Sequence, residues 1–157
     1  AILFEKTMDG AVDGKPTAEA LKARGVVPFI KVDEGLADDA DGVQLMKPMV
    51  KLAALLEKSV ATGMFGTKMR SVIKAANPAG IAAIVAQQFE VASQILDAGL
   101  VPMIEPEYDI TAKDRAAGED ILLAEIMKHL DALPEGREVM LKLSIPVKPG
   151  LYNPAIA

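Results

Sequence analysis

The sequence predicts an α/β fold, a portion of a (β/α) barrel containing about five parallel βα units. Three observations carry that reading. A theme of helical pattern, glycine, short apolar strand and charged residue occurs four times, in "ARGVVPFIK", "ATGMFGTKM", "DAGLVPMIE" and "PEGREVMLK". Its glycines, Gly25, Gly63, Gly99 and Gly136, lie 38, 36 and 37 residues apart, the even period of strand–helix units joined by right-handed crossovers. The runs that follow them are almost continuously apolar, as in parallel strands covered on both faces. An open doubly wound sheet shares these features. It would spread the charged strand ends along one edge, whereas a barrel gathers them at one mouth, and their regularity favours the barrel.

The elements follow in order. "AILFEKTM" opens the chain as an apolar strand with no initiator Met and no polar lead-in, a beginning expected of a fragment. "DGKPTAEALKARG" reads as a short helix, and "LAALLEKSVATG" and "EDILLAEIMKHLDAL" as longer ones. "NPAGIAAIVAQQFEVASQILDAG" is the strongest helix. Asn77 suits its N-cap and Pro78 its first turn, and Ile81, Ile84, Val85, Gln88, Ala92, Ile95 and Leu96 share one face. Each repeat glycine is expected just past a helix end, where a left-handed residue closes the last turn. No composition shift marks a boundary, so residues 1–157 read as one domain.

Composition narrows the function. The chain has 157 residues, 51% hydrophobic and 25% charged, with no cysteine and one histidine, so neither disulfides nor a thiolate or multi-histidine metal site is expected. A formal charge of −5 argues against general nucleic-acid affinity. No uninterrupted apolar run approaches the roughly 18 residues of a membrane span, and no signal peptide pattern is present; a cytoplasmic protein is expected.

The charged residues at the strand ends are Lys31, Lys68, Glu105 and Lys142, each five or six residues past its glycine. Lys142 interrupts the apolar run "EVMLKLSIPV". It either snorkels to solvent or, desolvated and near other cations, supplies a neutral amine that attacks a ketone. Glu105 and Glu107 flank Pro106 in "VPMIEPEYDI"; on one side of an extended segment they suit acid–base work, or they belong to a solvated loop. Lys68 and Arg70 in "FGTKMRS", beside N–H groups opening a helix, suit a phosphate or oxyanion, or are surface cations. "FIKVDEG" adds Lys31 and Asp33. The acidic "DEGLADDADG" fails as a calcium loop, since aligning Gly42 on the loop's glycine puts Ala37 and Pro48 at ligand positions, and it is expected to be solvated. His129 is expected on a helix surface without a partner, and the eight Met residues in the core.

Taken together, "ILFEKTMDG", "GVVPFIKVDEGL", "GVQLMKP", "FGTKMRSVI", "QQFEVASQIL", "GLVPMIEPE" and "MLKLSIP" resemble the class I fructose-bisphosphate aldolases, the bacterial branch especially, from residue 1 to about Tyr152. The resemblance implies a (β/α)8 TIM barrel and metal-independent cleavage of fructose 1,6-bisphosphate to dihydroxyacetone phosphate and glyceraldehyde 3-phosphate, with no cofactor. By position it assigns the Schiff-base lysine to Lys142 and the acid–base glutamate to Glu105, with Glu107 beside it. Lys31, Lys68 and Arg70 become substrate-binding residues. The expected partner is a sugar phosphate, with neither nucleic acid nor membrane, and a homo-oligomer is compatible with the resemblance. The match covers barrel strands two to six. The family's first strand, with its catalytic aspartate, and its last two, with a phosphate loop, are expected outside these residues. Position 34 carries Glu where many relatives carry Lys. Two other readings stand beside this one: a non-catalytic aldolase fragment or phosphate-ligand-binding module, and another lysine-dependent aldolase barrel.

Overall fold

A computed structural model describes residues 1–156. The strands are β1 Ile2–Leu3, β2 Ala11–Val12, β3 Lys15–Pro16, β4 Phe29–Lys31, β5 Val43–Gln44, β6 Gly66–Ile73, β7 Val101–Tyr108 and β8 Met140–Leu141. The helices are α1 Glu5–Met8, α2 Thr17–Lys22, α3 Leu52–Ala61, α4 Pro78–Asp97 and α5 Arg115–Asp131, with a 3-10 turn at Asn153–Ala155. The main sheet runs β1-β4-β6-β7-β8, every neighbouring pair parallel and in chain order, as successive barrel strands must be.

The register explains which residues meet. Lys31 lies opposite Lys68, Arg70 opposite Glu105 and Val72 opposite Glu107. Because side chains alternate across a strand, Lys68 and Arg70 share one face of β6, and Glu105 and Glu107 the matching face of β7. The opposite face is largely apolar, with Thr67 and Ser71 also buried there: Ile30, Met69 and Ile104 are fully buried and join Ile81, Ile84, Ala92 and Ile95 of α4 in one core. A helix layer thus covers one face of the sheet, and the charged residues occupy the other.

Three of the four repeat glycines end helices as expected. After α2, α3 and α4, reversed backbone bonds close the last turn at Gly25, Gly63 and Gly99, for example Gly63 N to Val60 O at 3.0 Å and Met64 N to Ser59 O at 2.9 Å, with φ of 73°, 76° and 82° at the glycines. Gly136 has a positive φ too, but α5 ends at Asp131 and Gly136 belongs to a separate turn bonded Arg137 N to Pro134 O. Asn77 caps α4 through its side chain, accepting from Ala79 N at 3.0 Å and Gly80 N at 3.2 Å.

Several expectations are corrected. The short helix begins at Thr17, because Asp13-Gly14, both at positive φ, form a two-residue turn between β2 and β3; an Asp-Gly pair is the sequence signal for such a hairpin. The acidic stretch is not merely a solvated loop. It folds into a hairpin around Asp41 and Gly42, with Ala40 and Val43 exchanging 3.0 Å bonds, and adds β5 antiparallel to the end of β6. The apolar run at 139–145 gives a strand of only two residues, because past Lys142 the bonds to β7 come from a side chain, Ser144 Oγ, rather than from the ladder. His129 is half-buried and stacks on Phe89 at 5.0 Å. Met8, Met46, Met64 and Met69 are in the core, but Met140 is exposed. α4 is long and apolar enough by length and composition to cross a bilayer, which an uninterrupted-run criterion misses because Gln87, Gln88 and Glu90 break the run. Its buried face packs on β6 and β7, the position of a core helix.

Candidate active site

The site is built on β6 and β7, two eight-residue strands paired along their full length. Glu105 lies in the middle of β7 with its side chain only 4% exposed. A carboxylate in that position needs opposite charge and hydrogen bonds to stay ionised. Lys68 of β6 forms an ion pair with Oε2, and Lys142, just past β8, donates to Oε1. The two lysines differ in setting: the Lys68 side chain is 11% exposed and that of Lys142 51%. The sequence suggested desolvation as the route to a neutral Lys142 amine. Among the described residues its contact is the Glu105 carboxylate.

Glu107, two residues along the same face, pairs with Arg70 at 3.2 Å. The two glutamates therefore do not form a carboxylate pair facing each other; each is matched to cations on neighbouring strands. Lys31 lies in register with Lys68, but its ammonium turns to Asp33, reaching both Oδ1 and the backbone carbonyl at 2.6 Å, and sits 5.8 Å from the Phe4 ring centroid. The buried Asp33 spans two strands, since its Oδ2 accepts from Arg70 N at 3.2 Å. The expected strand-end placement holds for Lys31 and Lys142. Lys68 and Glu105 lie inside their strands, because β6 and β7 run on past them and β5 pairs with the end of β6. Lys68 and Arg70 are accordingly not at a helix start; α4 begins at Pro78.

Two more buried polar groups support the cluster. Gln88 of α4 accepts from Glu105 N at 3.2 Å and donates to Ser71 Oγ at 2.7 Å. Its place on the apolar stripe was visible in the sequence, and a lone amide there was the signal of a role. Ser144 accepts from Tyr108 N at 3.1 Å and donates to Tyr108 O at 2.7 Å, holding the segment after Lys142 against β7; nothing in "MLKLSIP" distinguished that serine beforehand. Behind it the fully buried Glu119 pairs with Arg115 at 2.7 Å and accepts from Val147 N at 2.8 Å. No group of three or more metal-ligating residues occurs among the described residues.

Comparison with known proteins shows the family of this chain. The family "Fructose-bisphosphate aldolase class-I" matches residues 1–141. A class 1 fructose-bisphosphate aldolase of Synechocystis sp. is 56% identical over 157 residues, covering 99% of this chain and 52% of its own length. The chain thus spans about half the length of the curated relative. In structure it resembles the fructose-bisphosphate aldolase of Plasmodium falciparum, solved in complex with TRAP and a small-molecule inhibitor, with a TM-score of 0.75 at 25% identity, over 90% of this chain and 45% of that one. An arginine decarboxylase of Paramecium bursaria Chlorella virus, at 12% identity and a TM-score of 0.50, shares the α/β fold alone. The parallel sheet is therefore a portion of an α/β barrel, and the chain belongs to the class I fructose-bisphosphate aldolase family.

Proposed function

We propose that the full-length protein cleaves fructose 1,6-bisphosphate reversibly in the cytoplasm, without metal, through an imine on Lys142. The observation that carries this is the buried Glu105 carboxylate held between the ammonium groups of Lys68 and Lys142. An amine must lose a proton before it attacks a carbonyl, and Glu105 is hydrogen-bonded to the one that would. Proton transfer from Lys142 Nζ to Glu105 leaves a neutral amine beside a carboxylic acid. Nζ then bonds to the C2 carbonyl carbon, and the oxygen, protonated by Glu105, departs as water. The iminium takes up the electron pair released when the C3–C4 bond breaks, as a base removes the C4 hydroxyl proton. Glyceraldehyde 3-phosphate leaves, the enamine regains a proton at C3, and hydrolysis of the imine returns dihydroxyacetone phosphate and Lys142.

Lys68 keeps Glu105 in place from the other side. Arg70 and Lys31, on the same face and each engaged by a carboxylate, are cations to which substrate phosphate or hydroxyl oxygens can bind. Glu107 holds Arg70 and lies near enough in sequence and face to share in proton transfer. Borohydride reduction in the presence of dihydroxyacetone phosphate, followed by peptide mapping, tests the nucleophile: label is expected on Lys142, and label on another lysine ends the assignment. A protein that binds the sugar phosphate without becoming labelled would be a binding module instead.

A further inference from the structure

We propose that Gln88 is a positioning residue for the acid–base step, fixing the backbone of Glu105 from the helix side of the sheet; this rests on the acid–base reading of Glu105. Gln88 lies on a stripe of α4 whose other members, Ile81, Ile84, Val85, Ala92 and Ile95, are apolar and all but fully buried. Gln88 is fully buried too. A carboxamide there is costly unless bonded, and an aliphatic side chain would fill the same position at no such cost. The amide is bonded on both sides. Glu105 N–H can only donate, so the atom it meets is Oε1, which leaves Nε2 to donate to Ser71 Oγ.

These two bonds converge on one level of the sheet. Ser71 follows Arg70, whose Cα is paired with that of Glu105. Ser71 is itself fully buried and faces the helix layer, while its neighbour Arg70 faces the site. Gln88 therefore ties β6 and β7 together directly behind the Glu105 carboxylate and holds the peptide from which that side chain projects. The side chain must meet two ammonium groups at once, one oxygen to each. Proton transfer between Glu105 and Lys142 depends on that alignment within a few tenths of an ångström.

The test uses Gln88→Met, Glu105→Gln and their combination in the full-length protein, with Ser71→Ala as a second probe that adds no bulk. The Gln88→Met variant is expected to lower kcat about tenfold, the equivalent of one buried hydrogen bond, with KM within about twofold. The rate of borohydride trapping should fall in parallel. In the Glu105→Gln background, where there is no acid–base group to position, the same change should cost less than about twofold. Ser71→Ala is expected to lower kcat about threefold with the same dependence on background. An equal fold-loss in both backgrounds, or a folded Gln88→Met variant with full kcat, would overturn the proposal; should Gln88→Met not fold, Ser71→Ala decides by the same criterion. Full turnover by Glu105→Gln alone sinks the acid–base reading, whereas an impaired Glu105→Gln beside an unaffected Gln88→Met sinks only this inference.

Discussion

Lys68→Met removes one of the two charges that hold Glu105. Two unit charges about 4 Å apart attract by ~4 kcal/mol at an effective dielectric near 20, and stripping one partner from a buried pair costs ~3–5 kcal/mol. Lys142 remains hydrogen-bonded to the other carboxylate oxygen, and the desolvation of Lys68 is relieved. A loss of about 2–3 kcal/mol is expected for Lys68→Met on these two offsets. Glu105→Gln leaves the Lys68 ammonium, 11% exposed, with no carboxylate beside it, and should cost about 3 kcal/mol. The double variant buries Met against Gln with no stranded charge, so it should cost less than the sum by at least about 2 kcal/mol. Urea unfolding of the four full-length proteins at neutral pH measures the cycle. Additivity within about 0.5 kcal/mol would refute the premise that the pair is an interdependent buried unit. The double variant should regain stability without activity, since neither Met nor Gln transfers a proton.

Three further outcomes follow from the packing and charge around the site. A Cβ on Gly118 would overlap Tyr108 Oη and come within 2.5 Å of its Cζ, and Tyr108 is fully buried, so Gly118→Ala should destabilise by about 3 kcal/mol in chemical unfolding. Burial, reinforced by the negative charges of Asp114 and Glu119 against that of Arg115, pushes the Tyr108 phenol up to about 12. Because the folded state then keeps its proton longer than the unfolded one, this contribution is intact below about pH 10. It is lost as pH rises towards 12, by roughly 2–3 kcal/mol, and Tyr108→Phe should lose correspondingly less stability across that window. Asp33→Asn removes the charge that occupies the Lys31 ammonium, so inorganic phosphate should inhibit aldol cleavage at a concentration about three- to tenfold lower; unchanged or weaker inhibition would show that Lys31 does not meet phosphate.

Much of this was legible in the residues themselves. Parallel strands are joined by helices, so the order of β4, β6 and β7 follows from "FIK", "GTKMRSVI" and "VPMIEPEY", each read after the glycine that ends a helix. The neighbouring placement of Glu105 and Lys142 followed from their common phase, six residues past their glycines, whereas Lys68 stands level with Met103 and reaches Glu105 diagonally. What failed was finer. Strand length past the charged residues depended on β5, a hairpin built from an acidic stretch whose Asp41-Gly42 turn has the same chemistry as the overlooked Asp13-Gly14 turn. Pairing choices within a charged face were illegible as well. Lys31 stands in register with Lys68, but Asp33 sits two residues away on the same segment and takes its ammonium.

The contrast between the two lysines bears on which one reacts. Both touch Glu105, but Lys68 lies inside β6 with its side chain only 11% exposed. Lys142 makes the final ladder bond of its strand, Lys142 N to Ile104 O at 2.9 Å. The backbone beyond it is bonded to side chains: Ser144 on Tyr108, Glu119 on Val147, and Arg115 on the Ile145 carbonyl. A nucleophile must travel from its proton acceptor to a carbonyl carbon and back while its Cα stays where it is. On the mechanism proposed above, Lys142, its backbone tethered by those bonds, is the nucleophile, and Lys68 is the fixed charge that keeps Glu105 aligned.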